Sequence, residues 1–103
     1  MRIKTTGAGM NLQEAQNILC VQPHPDDTDI ALGATIAMLA ASGTRITYLS
    51  VTDDAAGLRG SDALLPYAER AELRRAEQLR AARTLGVAKV LELGFPDAGN
   101  WSE

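Results

Sequence analysis

Three short segments with strand-like patterns of apolar residues are spaced along the chain, at about Asn17 to Gln22, Arg45 to Thr52 and Val87 to Leu93. The first contains Ile18-Leu19-Cys20-Val21, an apolar run without alternation, which predicts a strand buried on both faces, as in the middle of a parallel sheet. The second is rich in β-branched and aromatic residues, as strands are. The pattern therefore predicts three strands.

Two segments with helical character separate these strands. The first, from about Asp29 to Ser42, is apolar nearly all round, which predicts burial on more than one face. The second, from about Tyr67 to Leu85, repeats apolar residues at helical spacing and is followed by Gly86, a typical helix C-cap. The glycine-containing stretch from Asp53 to about Leu65 is predicted to be a loop.

The order of these elements predicts the fold class. Two successive strand-helix-strand units, each a right-handed crossover, favour an α/β protein with a Rossmann-like three-layer α/β/α architecture and a parallel sheet. The chain would supply a three-stranded N-terminal half, with helices on both faces of the sheet. Residues 1–16 are predicted to be a leader, loose up to Asn11 and followed by a short helical turn, and residues 17–103 to belong to a single domain.

Composition narrows the possible classes of protein. With 103 residues and 46% hydrophobic content, the chain has room for one small core. A net charge of -3 without a basic stripe argues against a nucleic-acid partner. The single cysteine, Cys20, lies in the apolar run, where a buried and inert thiol is expected, and this suits a reducing compartment. Since the sequence contains neither a membrane span nor a signal-peptide core, we expect a cytoplasmic protein.

The only histidine stands beside two carboxylates in His24-Pro25-Asp26-Asp27, directly after the first predicted strand. An imidazole and a carboxylate three positions apart can bind one divalent metal ion, while the neighbouring carboxylate stays free to handle a proton. Ligands of parallel sheets bind beyond the carboxyl ends of the strands, where this tetrapeptide lies. The pattern points to metal-assisted hydrolysis. The alternative is an ordinary strand exit and helix cap.

Acidic residues also follow the other two predicted strands. Asp53 and Asp54 come after the second strand and Asp97 after the third. Because parallel strands end at the same edge of a sheet, these loops are expected to open beside the Asp26-Asp27 pair.

Four ordered motifs resemble the LmbE/PIG-L family of zinc-dependent N-acetylglucosaminyl deacetylases, and together they run from about Asn17 to Gly99. They are His24-Pro25-Asp26-Asp27, the glycine-bearing helix start Ile30-Ala31-Leu32-Gly33-Ala34-Thr35-Ile36, Arg74-Arg75-Ala76-Glu77 with Leu85-Gly86-Val87, and Phe95-Pro96-Asp97. The resemblance implies that residues 17–103 are the N-terminal part of one deacetylase domain. Four motifs in order are far more specific than any one alone.

The resemblance also implies roles for five residues. His24 and Asp27 would be ligands of zinc or another divalent metal, and Asp26 would be the general base that activates a zinc-bound water. Arg74 and Asp97 would hold hydroxyl groups of an N-acetylated sugar or glycoconjugate substrate. The reaction would remove an acetyl group from an amine.

Taken without the resemblance, some of these residues have plainer interpretations. Arg74 and Glu77 could form a solvated pair at i, i+3 on a helix surface, and Asp97 could be a turn residue. Asp53-Asp54-Ala55-Ala56-Gly57 departs from the family's Gly-acidic-x-Gly pattern, so a substrate role for this loop does not follow from the resemblance.

One family feature has no counterpart in the sequence. The family completes its zinc site with a later histidine, and no histidine follows His24, so we expect this chain to be part of a longer enzyme and to be inactive alone. An exposed strand edge and an apolar face would favour self-association into a homo-oligomer. The alternative functions are a non-catalytic association module and a receiver-like domain with an acidic Mg²⁺ pocket, for which the spacing of the acidic residues is poor.

Overall fold

The computed structural model of the chain describes residues 12–58 and 60–97. Its main elements are β1 (Asn17–Gln22), α1 (Asp27–Ala41), β2 (Arg45–Thr52), α2 (Tyr67–Leu85) and β3 (Lys89–Phe95). Short 3-10 turns occupy Leu12–Glu14, Ala55–Gly57 and Gly60–Leu64. Most of the predicted leader lies outside the described residues, as does Gly99 at the end of the family resemblance.

The three strands form one parallel sheet in the order β1-β2-β3. The first pair runs from Asn17 opposite Arg45 to Gln22 opposite Ser50. Parallel neighbours need a crossover connection, and α1 and α2 supply the two crossovers. The predicted α/β class with a parallel three-stranded sheet is therefore confirmed.

Both helices pack on the same face of this sheet, so the prediction of helices on both faces was wrong for the described residues. The core is built from Ile36 and Leu39 of α1 against Ile46 and Tyr48 of β2, with Leu85 of α2 at its margin. Successive right-handed crossovers that advance in one direction across a sheet bring their helices to one side. A helix on the other face requires the strand order to reverse, and the described strands do not reverse.

The opposite face of the sheet has exposed apolar side chains. Leu19 and Val21 of β1 are 57% and 62% exposed, and Leu91 and Leu93 of β3 are 39% and 54% exposed. The prediction that β1 is buried on both faces was therefore wrong in the described part of the chain, where nothing covers this side. Cys20, which points towards the helices, is half-buried, and this burial raises the pKa of its thiol.

Helix α1 is also less buried than its composition predicts. Of its apolar residues, Ile36 and Leu39 are buried, whereas Ile30 is 79% and Met38 52% exposed. Its regular geometry is interrupted at Leu32, where φ is -135° and ψ is 17°. The helix packs on one sheet face, so only one of its own faces is covered.

Helix α2 has the predicted bounds, and its end explains why β3 starts late. Gly86 has a φ of 88°, and the Val87 N–H donates to the Ala82 carbonyl at 2.9 Å, closing the helix in a left-handed cap. Since the N–H of Val87 belongs to this cap, β3 begins at Lys89, two residues after the predicted start. Neither described helix is long and apolar enough to cross a membrane.

A β-bulge interrupts the pairing of β2 with β3 near the carboxyl end of the sheet. Ser50 lies opposite Glu92, but Thr52 lies opposite Phe95, so β3 carries one extra residue. Gly94, with a φ of 73°, adopts the left-handed conformation that this irregularity requires. The bulge directs the chain after β3 toward the loops that follow β1 and β2.

Candidate functional site

The loop between β1 and α1 is closed by hydrogen bonds within its own four residues. The backbone N–H of His24 donates to Asp27 Oδ2 at 2.8 Å, and the N–H of Asp27 donates to the His24 carbonyl at 3.2 Å. Pro25 has a fixed φ and no N–H that needs a partner. The loop therefore holds the His24 ring beside the Asp27 carboxylate, with Nδ1 and Oδ2 3.6 Å apart.

The other ring nitrogen of His24 is engaged by the loop after β3. His24 Nε2 lies 2.7 Å from Oδ1 of Asp97, whose side chain is mostly buried. Burial lowers the pKa of His24, but the hydrogen bond to Asp97 and the negative charges of Asp97, Asp54 and Asp27 outweigh it, so the pKa is raised. The Asp97 carboxylate thus fixes the orientation of the ring and raises its pKa.

Asp97 is itself held in place by Asp53 at the end of β2. The Asp53 Oδ1 atom accepts hydrogen bonds from the backbone N–H groups of Ala55 at 3.0 Å and Asp97 at 3.3 Å. Its Oδ2 atom accepts a hydrogen bond from the Tyr67 hydroxyl at 2.6 Å. Asp53 therefore ties the loops after β2 and β3 to the start of α2.

Asp54 brings a third carboxylate to His24. It has a φ of 54°, the only positive value at a non-glycine residue among those described, and it is buried. Its carboxylate pairs with the guanidinium of Arg74 through both Nε, at 2.8 Å, and Nη2. Burial raises the pKa of Asp54 and is only partly offset by Arg74.

Arg74 reaches from α2 across the carboxyl edge of the sheet and contacts three carboxylates. Besides Asp54, its Nη2 donates to Asp26 Oδ2 at 3.2 Å and its Nη1 donates to Glu77. The side chain is only 13% exposed. The i, i+3 pair with Glu77 predicted as the plain interpretation is present, but Arg74 also links α2 to the loops after β1 and β2.

The donor set around His24 fits a divalent metal ion. Two ligands on one tetrahedral zinc ion are about 3.4 Å apart, given bonds of about 2.0–2.1 Å, and His24 Nδ1 and Asp27 Oδ2 lie close to that separation. A second arrangement uses His24, Asp54 and Asp97, whose ligand atoms lie within 4.8 Å of one another. We favour the first, because the 2.7 Å contact between His24 and Asp97 is a hydrogen bond, which typically orients a metal-binding histidine.

The five residues singled out in the sequence meet at this edge of the sheet. Asp26 stands at the N-cap position of α1 and makes no side-chain cap hydrogen bond, so its half-exposed carboxylate does not serve as the ordinary helix cap. A cavity of about 200 Å³ opens beside Asp26 and Arg74. The roles assigned to these five residues by the resemblance remain predictions.

Sequence reasoning placed Asp54 at the edge of the sheet where the site lies but gave it no role there. The available signal was an acidic pair directly after a strand, at the edge where the other acidic loops open. Its burial could not be inferred, because it depends on Arg74, 20 positions away in the sequence.

Comparison with known proteins gives concordant matches. Residues 19–102 match the sequence model of the GlcNAc-PI de-N-acetylase family, PIG-L. A diacetylchitobiose deacetylase of Thermococcus kodakarensis is 40% identical over 84 residues, covering 82% of this chain and 31% of the relative. A 1D-myo-inositol 2-acetamido-2-deoxy-alpha-D-glucopyranoside deacetylase of Catenulispora acidiphila is 39% identical over 89 residues, covering 78% of this chain and 26% of the relative.

A solved structure extends the likeness to the fold. The N,N'-diacetylchitobiose deacetylase of Pyrococcus horikoshii superposes with a TM-score of 0.76 at 38% identity, covering 82% of this chain and 31% of that chain. The present chain thus spans about a third of the length of the relatives that it matches.

Proposed function

The chain belongs to the PIG-L family of de-N-acetylases, and from this membership we propose that the whole protein hydrolyses the acetamide of an N-acetylated amino sugar or glycoconjugate with the help of a divalent metal ion. The observation that carries the proposal is the meeting of His24, Asp27 and Asp26 in one hydrogen-bonded loop at the carboxyl edge of the sheet.

We assign His24 and Asp27 as the residues of this chain that would hold the metal, with zinc the first choice for a nitrogen and oxygen donor pair. When bound, such an ion acidifies water and polarises a carbonyl group. Asp97 supports the assignment, because its contact with Nε2 directs Nδ1 toward Asp27.

Asp26 is proposed as the general base. It is half-exposed, borders the cavity and has one oxygen 3.2 Å from Arg74 Nη2. Its carboxylate would take a proton from water as the water oxygen attacks the amide carbonyl. It would then return the proton to the departing nitrogen, so that acetate and a free amine are released.

Arg74 and Asp97 are proposed to contact hydroxyl groups of the sugar. A guanidinium has five N–H donors, and within the described residues four of those of Arg74 are directed at Asp54, Asp26 and Glu77. One N–H of Nη1 remains for a substrate oxygen. Glu77, itself 39% exposed, is the partner that a sugar could displace most easily.

The test separates the base from the metal ligand. In the whole protein, Asp26→Asn should keep its zinc and lose at least about a hundredfold in kcat, because it removes the base alone. Asp27→Ala should lose zinc as measured by metal analysis. Asp62→Asn, on the 3-10 turn Gly60–Leu64, is the matched control and should change neither.

Two results would reject these assignments. Activity of Asp26→Asn within twofold of the parent protein would show that another group is the base, and unchanged zinc stoichiometry in Asp27→Ala would remove it from the ligands. Residues 1–103 alone should release no acetate and bind zinc only weakly, since Asp97 and Asp54 are already engaged by His24 and Arg74.

A non-catalytic association module is the second candidate function, and the exposed apolar sheet face supports it. Absence of zinc and of acetate release in the whole protein would favour it over the deacetylase.

A further inference from the structure

The helix-covered face of the sheet changes from apolar to polar near its carboxyl end. Ile46 and Tyr48 of β2 are followed on this face by Ser50, which lies opposite Gln22 of β1 on one side and Glu92 of β3 on the other. Gln22 and Ser50 are each 1% exposed. This polar row lies under the candidate site.

The row continues into α2 through the buried side chain of Gln78. Gln22 Nε2 donates to Ser50 Oγ at 2.9 Å, Ser50 donates in turn to Gln78 Oε1, and Gln78 Nε2 donates to Glu92 Oε1 at 2.9 Å. Buried polar groups are costly unless paired, and a chain of donors in one direction fixes the orientation of each amide. The side-chain amide of Gln22 is therefore held in one orientation.

That orientation directs Gln22 at the backbone of the loop that carries His24, Asp26 and Asp27. Its Oε1 accepts a hydrogen bond from the Thr28 N–H at 2.9 Å, and its Nε2 lies 3.2 Å from the Pro25 carbonyl oxygen. These two backbone groups bracket Asp26 and Asp27. An amide can accept from one and donate to the other, whereas a carboxylate only accepts and an aliphatic side chain does neither.

We propose that Gln22 is a positioning residue for the His24–Asp27 loop, with Ser50 and Gln78 holding its amide in register. Its backbone already belongs to the β1–β2 ladder, so the side chain is not needed to close the sheet. The Gln22 side chain holds the loop through the backbone of Pro25 and Thr28. These contacts add to the hydrogen bonds between His24 and Asp27 within the loop. The catalytic meaning of this role rests on the proposed function, but the structural role does not.

The test compares Gln22→Met with Leu39→Ala. The first keeps an unbranched side chain of similar length and removes the amide. The second weakens the core at Leu39 of α1, away from the loop. Amide hydrogen exchange is measured on the purified chain without metal. We expect the Thr28 and His24 amides to exchange at least about tenfold faster in Gln22→Met than in Leu39→Ala, with Tyr48 in β2 no faster.

Ser50→Ala provides a second variant, since it removes the hydroxyl that accepts from Gln22 Nε2 and leaves the other hydrogen bonds of the Gln22 amide in place. It should accelerate the same two amides, to a smaller extent. In the whole protein, Gln22→Met should weaken zinc affinity by about 10- to 100-fold in a chelator competition, with activity recovered in excess zinc.

Each failure has a distinct signature. The positioning role is overturned if the Thr28 and His24 amides exchange no faster in Gln22→Met and Ser50→Ala than they do in Leu39→Ala. If those amides exchange faster in Gln22→Met but the whole protein neither binds zinc nor releases acetate, the positioning role stands and the proposed function is rejected.

Discussion

At the scale of single residues, His24 is the group on which the candidate site depends, because its two ring nitrogens face two different carboxylates. Nδ1 lies beside Asp27 and Nε2 is hydrogen-bonded to Asp97. When Nε2 carries the proton that is hydrogen-bonded to Asp97, Nδ1 keeps its lone pair and could bind a metal ion together with Asp27. A residue of the loop after β3 thus orients a residue of the loop after β1.

This arrangement predicts a pH effect in the metal-free chain. The pKa of His24 is raised above its ordinary value of about 6.5, so the protonated ring stabilises the fold fully below about pH 6.5. That contribution is lost as pH rises through the folded-state pKa. Because the chain has a single histidine, its ring signal in an NMR titration needs no assignment.

Asp97→Asn should lower the pKa of His24, since it removes both the charge and the strong acceptor. Asp62→Asn changes the net charge equally, but Asp62 is not among the carboxylates that raise the pKa of His24, so the titration curve should stay where it is. Equal shifts in the two variants would show that His24 responds to net charge and not to the contact with Asp97.

At the scale of elements, the 3-10 turn Ala55–Gly57 depends on its terminal glycine. A Cβ atom on Gly57 would lie 2.4 Å from Oδ1 of Asp54, which is held by Arg74 and cannot easily move aside. Gly57→Ala should therefore reduce the free energy of unfolding by about 1–3 kcal/mol in urea denaturation.

Gly33→Ala in α1 is the contrasting variant. A Cβ there meets nothing within 4 Å among the atoms of the structure, and alanine favours the helix by about 0.5–1 kcal/mol over glycine. Similar destabilisation by both substitutions would contradict the role of the Asp54 carboxylate.

The elements that could be predicted from sequence are those with local determinants. Helix α2 was predicted to the residue, because helical spacing and Gly86 define it within its own segment. The burial of α1 and β1 was not, since apolar composition does not say which neighbour covers each face. The start of β3 was missed because the N–H of Val87 is used by the preceding helix cap.

The candidate site was predictable to the same extent. His24, Asp26 and Asp27 are adjacent in sequence and follow a strand, so their meeting could be inferred. Asp54 and Gln22 acquire their roles through partners on other elements, Arg74 and Ser50. Such roles depend on strand order and helix placement, which a local pattern does not contain.

At the scale of the whole molecule, the sheet is covered by helices on one face only. The face that carries Leu19, Val21, Leu91 and Leu93 is apolar and exposed in the described residues. Contiguous apolar surface of this kind favours association. We therefore predict that the purified chain sediments as a dimer or larger species.

Replacing Leu19 and Leu93 together by lysine should shift the chain toward monomer in sedimentation velocity. Leu64→Lys is a suitable control, because Leu64 is 86% exposed but lies on the 3-10 turn Gly60–Leu64, outside the strands. A chain that remains associated after the double substitution must be using another surface.

The bulge in β3 affects the position of the residues that follow it. Unbroken pairing would set Gly94 opposite Thr52, the position that Phe95 occupies. Side chains alternate between the two faces of a sheet, so one extra residue places Phe95 on the face where Gly94 would otherwise lie. Loss of the bulge would move the start of the loop that carries Asp97 by about 3.3 Å along the strand direction. The contact between Asp97 and His24 therefore depends on the extra residue that the bulge at Gly94 accommodates in β3.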